Sequence, residues 1–402
     1  MNNPHLRFPR FAGSGPWTPV PFGALAVLKN DKFTPGPSPS ALPCIELEHL
    51  EPGTGTILGQ TEISPGMTVK NRFEKGDVLF GKLRPGLRKF ARPDFSGVCS
   101  QEIWVLSGGL ADNGFLFQLV QTDRFFRASM ETTGTRMPRA DWKRVSETVF
   151  PVPLPEEQRY LAAFLSAADE EIQARRQVIA CLKMRREGIL QKLFAPAEAL
   201  EASPAAVMSG GDASPFPGSW RLLPLSSILT ERREYARKDG SYPHVSLTKD
   251  GVIPKTARYN RDFLVKTEEK SYKITRLDDI CFNPANLKFG VICRNRLGDG
   301  IFSPIYAAFS VNSGFDPGFV ELSVTRSSFL NRALRYQEGT VYERMSVRPE
   351  RLISLAIAVP GPDIQREIAG IADLLERQIQ AEEAVLDDLR KRKQGLLQEV
   401  LL

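Results

Sequence analysis

The feature that most constrains this chain is an internal repeat. Residues 152–194 and 359–401 align without a gap at an offset of 207, with about a third of the positions identical. Each copy opens on Val-Pro-x-Pro (Val152-Pro153 and Val359-Pro360) and continues through Gln158-Arg159 or Gln365-Arg366. Each closes on Gly-x-Leu-Gln, Gly188 to Gln191 and Gly395 to Gln398. Both copies follow a block of about 140 residues, so the chain reads as two halves of one plan. A pseudo-two-fold object made from one polypeptide suits a two-fold target, and duplex DNA is the commonest such target.

The repeated segment reads as a long helix. Pro155 and Pro362 suit a helix start, where a missing N–H costs nothing. Glu156, Glu157 and Asp363 fall in the first turn, where the helix dipole favours negative charge. A helix over 156–194 would reach roughly 58 Å at about 1.5 Å per residue. Stepping by four and three from Leu161 gives Leu165, Ala168, Ile172, Arg175, Ile179, Leu182, Arg186, Ile189 and Leu193. The second copy gives Ile368, Ala372, Leu375, Ile379, Glu382, Leu386, Leu389, Lys393, Leu396 and Val400. A sustained 3.5-residue apolar period is a coiled-coil seam. The polar interruptions fall at the same steps in both copies, and antiparallel pairing with full overlap would bring Arg175 within about a turn of Glu382.

Between the first helix and the second block, Ala, Ser, Pro and Gly supply 18 of the 25 positions of 195–219, which reads as a linker. The blocks repeat weakly. Trp17 and Trp220 each open one; Gly76-Asp77-Val78-Leu79-Phe80 matches Asp278-Asp279-Ile280-Cys281-Phe282 as a turn and a buried strand. Gly97-Val98-Cys99 matches Gly300-Ile301-Phe302 as a second strand, and the block interiors do not align. Short β-branched or aromatic runs among dense Gly and Pro indicate mixed α/β blocks. The resulting fold class is α+β (mixed α/β), two globular domains separated by two long helices packed as an antiparallel coiled coil.

Charge is uneven along the chain. Residues 1–150 carry a balance of +4 and residues 220–357 one of +7, whereas 195–219 and 358–402 are each −3. The positive excess lies in the blocks, where a polyanion would be gripped. No apolar run approaches the roughly 20 residues that span a bilayer. No signal-peptide pattern is apparent, and five scattered cysteines without a C-x-x-C pair read as reduced thiols, so a cytoplasmic protein with no membrane partner is expected.

Catalytic signatures are missing. There is no P-loop and no glycine-rich dinucleotide loop after a strand, and the three histidines lack zinc-site spacing. Asn283-Pro284-Ala285-Asn286 is faintly similar to the Asn-Pro-Pro-aromatic motif of amino-methyltransferases. It lacks the aromatic residue, and a strand end followed by a turn explains it better. The expectation is therefore no catalytic residue and no metal site. What remains is basic. Lys82, Arg84, Arg88, Lys89 and Arg92 surround Pro85-Gly86, and Arg136 and Arg139 flank Met137. In the second block Lys288, Arg294, Arg296 and Arg344 occupy comparable places. Such residues can hold phosphates, and a bidentate Arg can read guanine. The candidate DNA-binding set is Lys82, Arg84, Arg88, Lys89, Arg136, Arg139, Lys288, Arg294 and Arg344.

The tandem layout resembles the specificity subunits of Type I restriction–modification systems. The residues that carry the resemblance are 151–159 (PVPLPEEQR), 190–194 (LQKLF), 76–85 (GDVLFGKLRP) and 286–290 (NLKFG). It implies target-recognition domains at 1–155 and 220–357, spacer helices at 156–194 and 358–402, and the linker 195–219 between them. It further implies recognition of a bipartite, asymmetric double-stranded DNA target by a chain that does no chemistry. The implied partners are two methyltransferase subunits and restriction subunits, which would bring S-adenosylmethionine, ATP and Mg. At the second junction Gly361 and Ile364 depart from the family's usual pattern. Two other readings stay open. One is a recognition subunit of another restriction–modification type; the other is a coiled-coil adaptor without a DNA role, which salt-dependent duplex binding would separate from the rest.

Overall fold

The computed structural model describes residues 4, 6–38, 40–133, 137–202, 220–237, 240–249, 251–255, 271–339 and 345–401. The chain divides into two compact units, Met1–Val178 with Glu382–Leu402, and Ile179–Ala381. Among the described residues no helix is long and apolar enough to cross a membrane.

In the first unit, Thr18–Pro21 pairs antiparallel with Val149–Val152, which ties the start of the block to its end. A four-stranded sheet follows the order Ala26–Lys29, Ile103–Gly108, Val78–Gly81, Phe90–Ala91. The run Val78-Leu79-Phe80-Gly81 is buried along its whole length, as a continuous apolar strand requires. A five-stranded sheet lies in the order Lys32–Phe33, Lys70–Phe73, Gly97–Cys99, Ser40–Ile45, Thr61–Ile63. Here Ser40–Ile45 runs parallel to Gly97–Cys99, and the other pairs are antiparallel. The core gathers Trp17, Phe22, Phe80, Phe115, Phe125 and Phe150 with Leu161 and Leu165 of the first long helix and Leu397, Val400 and Leu401 of the second.

The second unit repeats the plan. Arg221–Pro224 pairs with Ala356–Val359, and a four-stranded sheet runs Leu229–Glu231, Ala307–Val311, Ile280–Phe282, Ile292–Arg294. Its outer strands differ from those of the first unit. Tyr235–Ala236, Tyr272–Thr275 and Gly300–Phe302 form one small sheet, and Val245–Thr248 with Gly251–Pro254 forms another. The core joins Ile280, Phe282, Phe309, Phe319, Phe329 and Ile368 with Leu193, Phe194, Ala197 and Leu200. The turn ahead of the central strand needs a left-handed residue in both units. Gly76 has φ 87°, and Asp278, a residue type that tolerates this region, has φ 66° at the matching place.

The first long helix spans Pro155–Ala202, and the second Pro362–Leu401. The first therefore runs on through 195–202, part of the segment expected to be a linker. Counting Ala with Ser, Pro and Gly hid the reason, because Ala is the strongest helix former. Pro196 removes one backbone hydrogen bond, and tertiary packing outweighs that loss. Ala197 and Leu200 are buried, and the Glu201 carboxylate accepts from Arg326 Nη2 (2.7 Å), Arg332 Nη2 (2.8 Å) and the Ala358 backbone N–H (3.0 Å).

Within each unit the helical stretches pack antiparallel. In the first, Arg175 pairs with Glu382 and Lys393 with Asp169, so position rises on one helix as it falls on the other. In the second, Arg186 pairs with Glu376 at 3.2 Å. Along the expected seam Leu161, Leu165, Ile172, Ile179, Ile368, Ile379 and Leu386 are buried, and Leu182, Ile189, Leu375, Leu389 and Leu396 are half-buried, as are Arg175 and Glu382.

The repeated glutamine of the Val-Pro-x-Pro junction fixes block to helix in both units. Gln158 Nε2 donates to Pro153 O (3.1 Å) and its Oε1 accepts from Asp112 N (3.0 Å). Gln365 Nε2 donates to Pro360 O (2.9 Å) and its Oε1 accepts from Asp316 N (3.0 Å). Asp112 and Asp316 in turn cap the helices Asn113–Leu119 and Pro317–Thr325. A buried amide with each polar atom partnered makes a joint with one geometry.

Candidate nucleic-acid interface

In the first unit the candidate surface is a hairpin between Val78–Gly81 and Phe90–Ala91. The chain leaves the first strand through Lys82-Leu83-Arg84, makes a 3-10 turn at Pro85–Leu87, and returns through Arg88-Lys89. Arg84 (φ 50°) and Arg88 (φ 48°) bracket the turn in the left-handed region, at a cost of about 1 kcal/mol each for a residue with a Cβ. A second loop is bonded to this hairpin: Arg84 N donates to Pro138 O (2.8 Å) and Ala140 N to Lys82 O (2.8 Å). The two basic segments singled out in sequence thus meet in space. Arg136 lies outside the described residues.

Most of the basic side chains at this site serve the protein itself. Arg139 forks onto Glu102 with bonds of 2.7–3.1 Å, which holds the Glu102 carboxyl below the ordinary carboxylate range and raises the guanidinium. Arg88 stacks on Phe126 at 3.8 Å and donates to Asp123 Oδ1 at 2.8 Å. Lys89 Nζ donates to Leu47 O at 2.6 Å. Arg92 reaches over Phe117 and beneath Gly114. That leaves Lys82, half-buried with only an attraction to Glu102, and Arg84, exposed and without a hydrogen-bond or ion-pair partner among the described residues. These two can reach a phosphate without breaking an existing bond.

The second unit carries the equivalent hairpin. Asn283 closes the strand end, its side chain accepting from Ala285 N at 3.1 Å, so the Asn-Pro segment is a capped turn. The 3-10 turn Pro284–Phe289 ends on Gly290 at φ 73°. Val347 N donates to Pro284 O (3.1 Å), so here too a second loop lies on the hairpin base. Arg344 lies outside the described residues. Lys288 is exposed and sits over the Phe289 ring at 5.0 Å. Arg294 faces Asp278 (3.3 Å), and Arg296 is held by Glu321 (2.8 Å) and Asp373 (3.4 Å). Among the described residues of this expected set, Lys288 therefore stands available.

Four of the five cysteines are buried, and burial pushes their thiols up, that of Cys293 to about 12. Such thiols are poor nucleophiles. Among the described residues no cluster of three or more His, Cys, Asp or Glu could hold a metal ion.

No protein-family model matches the chain. Over 185 residues, 44% of its length, it is 28% identical to the specificity subunit of the Type I restriction enzyme EcoDI of Escherichia coli. The matched stretch spans 41% of that protein, about two fifths of its length. In three dimensions 96% of the chain is similar to 97% of a chain from a type I R-M system solved for its complex assembly and conformational transition, with a TM-score of 0.55 at 19% identity. The whole chain is similar to 99% of the S subunit of a Type-I restriction-modification system from M. genitalium, with a TM-score of 0.57 at 16% identity. The fold is therefore the one these chains share, mixed helix and sheet with two long helices that pack together.

Proposed function

We propose that this chain is the DNA sequence-specificity subunit of a Type I restriction–modification complex. It reads a bipartite, asymmetric double-stranded DNA target, one half with each unit, and docks methyltransferase and restriction subunits. The observation that carries this reading is the duplicated plan. Two units share one sheet order, one helix joint and one hairpin with exposed cations, yet differ in their outer strands. A protein that reads two different half-sites with common partners needs that combination, because the joint is target-independent and the reading surface is not. The similarity to the EcoDI specificity subunit and to the two solved type I chains supports it.

On this reading the chain is not an enzyme. Methyl transfer and cleavage belong to partner subunits in the cytoplasm, which bring S-adenosylmethionine, ATP and Mg. Phosphate contacts from Lys82, Arg84 and Lys288 position the duplex, and base contacts specify it. The length of the antiparallel helices sets the separation of the half-sites. The test is to map adenine methylation in a host with and without this gene, its partner genes present in both. Loss of one bipartite motif on deletion is expected; identical maps would refute the proposal.

A further inference from the structure

The two hairpins superpose residue by residue in sequence at an offset of 202. Phe80 matches Phe282, Pro85 matches Leu287, Leu87 matches Phe289, and Arg88 matches Gly290. Each correspondence holds in the structure. Pro85 and Leu287 are buried beneath the turn. Arg88 and Gly290 both take the left-handed conformation that reverses the chain. Between them each turn thrusts one large apolar side chain into solvent, Leu87 at 46% exposure and Phe289 at 65%. The second loop bonded to each hairpin base adds another, Met137 at 53% and Met345 at 43%.

A single exposed apolar side chain is ordinary on a protein surface, but its recurrence at the matching place of both turns asks for a common reason. Burial in either core is not that reason, because the neighbouring turn residue already fills the core position in each unit. The surroundings state the chemistry of what covers these tips. Lys82 and Arg84 flank the first, and Lys288 lies on the Phe289 ring. An apolar tip rimmed by available cations complements a duplex groove, where phosphates border base edges, thymine methyls and base steps.

We propose that Leu87 with Met137, and Phe289 with Met345, are the specificity-determining apolar contacts of their units. Each pair enters a groove of one half-site, while the adjacent cations hold the bordering phosphates. The inference rests on the DNA-reading function proposed above and adds to it which side chains touch bases. It also accounts for a fixed frame with changing identity. The buried turn residue and the left-handed close of the turn are the same in both units, and Leu against Phe at its tip gives the two halves different preferences.

The experiment maps adenine methylation directed by the full chain co-expressed with its methyltransferase partner, for wild type, Leu87→Ala, Leu87→Phe, Phe289→Ala and Phe289→Leu. Each tip is exposed, so the fold should survive, and an unchanged thermal midpoint checks this. The Leu87 variants should lower methylation about tenfold or relax the sequence at one half of the motif only, and the Phe289 variants should do so at the other half only, as expected for loss of a base contact. Arg84→Ala should instead weaken binding at all sequences and reduce the slope of log affinity against log salt by about 1. Wild-type methylation of an unchanged motif by all four tip variants would overturn the assignment. A wild-type chain that directs no bipartite methylation would overturn the underlying function, and the tips with it.

Discussion

Glu201 offers the sharpest test of how the second unit is held together. It lies in the segment whose composition suggests a linker, yet its side chain is 3% exposed and accepts three hydrogen bonds, two from guanidiniums and one from a backbone N–H. Truncation in Glu201→Ala leaves Arg326, 11% exposed, with the Phe194 ring at 4.7 Å and a distant carboxylate of Glu198 at 3.9 Å, and orphans the Ala358 N–H. Breaking a buried ion pair by removing one partner costs about 3–5 kcal/mol. Arg332 is 26% exposed and regains water, which places the expected loss near the lower end, about 3 kcal/mol. For a unit of this size that corresponds to a fall of roughly 6–12 °C in its thermal midpoint. Glu201→Gln keeps an acceptor for Ala358 and should lose about half as much. Hydrogen exchange read by mass spectrometry locates the effect. Peptides covering 197–202 and 356–359 should exchange faster, and peptides covering 18–29 should not change. A loss under about 1 kcal/mol with unchanged exchange would show that the helix extension is a passive tail and would refute the role given to Glu201.

Two further outcomes are expected. The Glu102 carboxyl is held below its ordinary value by Arg139, so the stability it contributes is fully present above pH 4.5 and is lost as pH falls through the lowered folded value; peptides covering 137–140 should therefore gain exchange in that acid window, and Glu102→Gln should remove the pH dependence, whereas an identical profile in the variant would place the titration elsewhere. Gly114→Ala and Gly318→Ala place a Cβ 2.8 Å from the guanidinium of Arg92 or Arg294 and 3.1 Å from the Cβ of Ala162 or Ala369; the arginine can swing away but the helix cannot, so each variant should lose about 1–3 kcal/mol in denaturant titration, and a neutral result in both would mean the block rides on its helix with slack.

The long helices were legible because an apolar period of 3.5 residues, sustained through each repeat copy, fits a helical seam and cannot be met by a strand, and the prolines at 155 and 362 mark where each begins. Their overrun to Ala202 was not, because what holds it is the pairing of Glu201 with residues more than 120 positions away. The candidate interface failed for the same reason in the opposite direction. Arg88, Lys89, Arg139 and Arg294 read as free cations in sequence, but whether an arginine is free depends on carboxylates, carbonyls and rings that only the fold brings near, such as Glu102 for Arg139 and Phe126 for Arg88. Leu87 and Phe289 carry no charge, so a pattern of phosphate-binding residues passes over them. A signal existed in the gapless 202-residue offset between the two hairpins, which sets one exposed apolar residue against another.

The two joints between block and helix are alike only where the repeat demands it. Gln158 and Gln365 make the same bonds, and Gly114 and Gly318 sit against the same alanine of their helices. Further along the helices they part. In the first unit Lys393 is buried against Asp169 and Gln121, and Arg176 is clamped to Glu51 and Thr56 of a loop that reaches the helix. In the second, Arg186 takes the place of Lys393 and pairs with Glu376 at the edge of an open groove of about 810 Å³, and Glu383, of opposite charge, stands where Arg176 does in the repeat. A packed joint resists rotation of its block, because moving it unpairs a buried ammonium; a half-solvated pair at a groove edge resists far less. The hairpin tips can diverge freely between the units, since neither joint uses them. The joints themselves cannot diverge past the glutamine and the glycine, because those two positions seat each block on its helix in the same way twice.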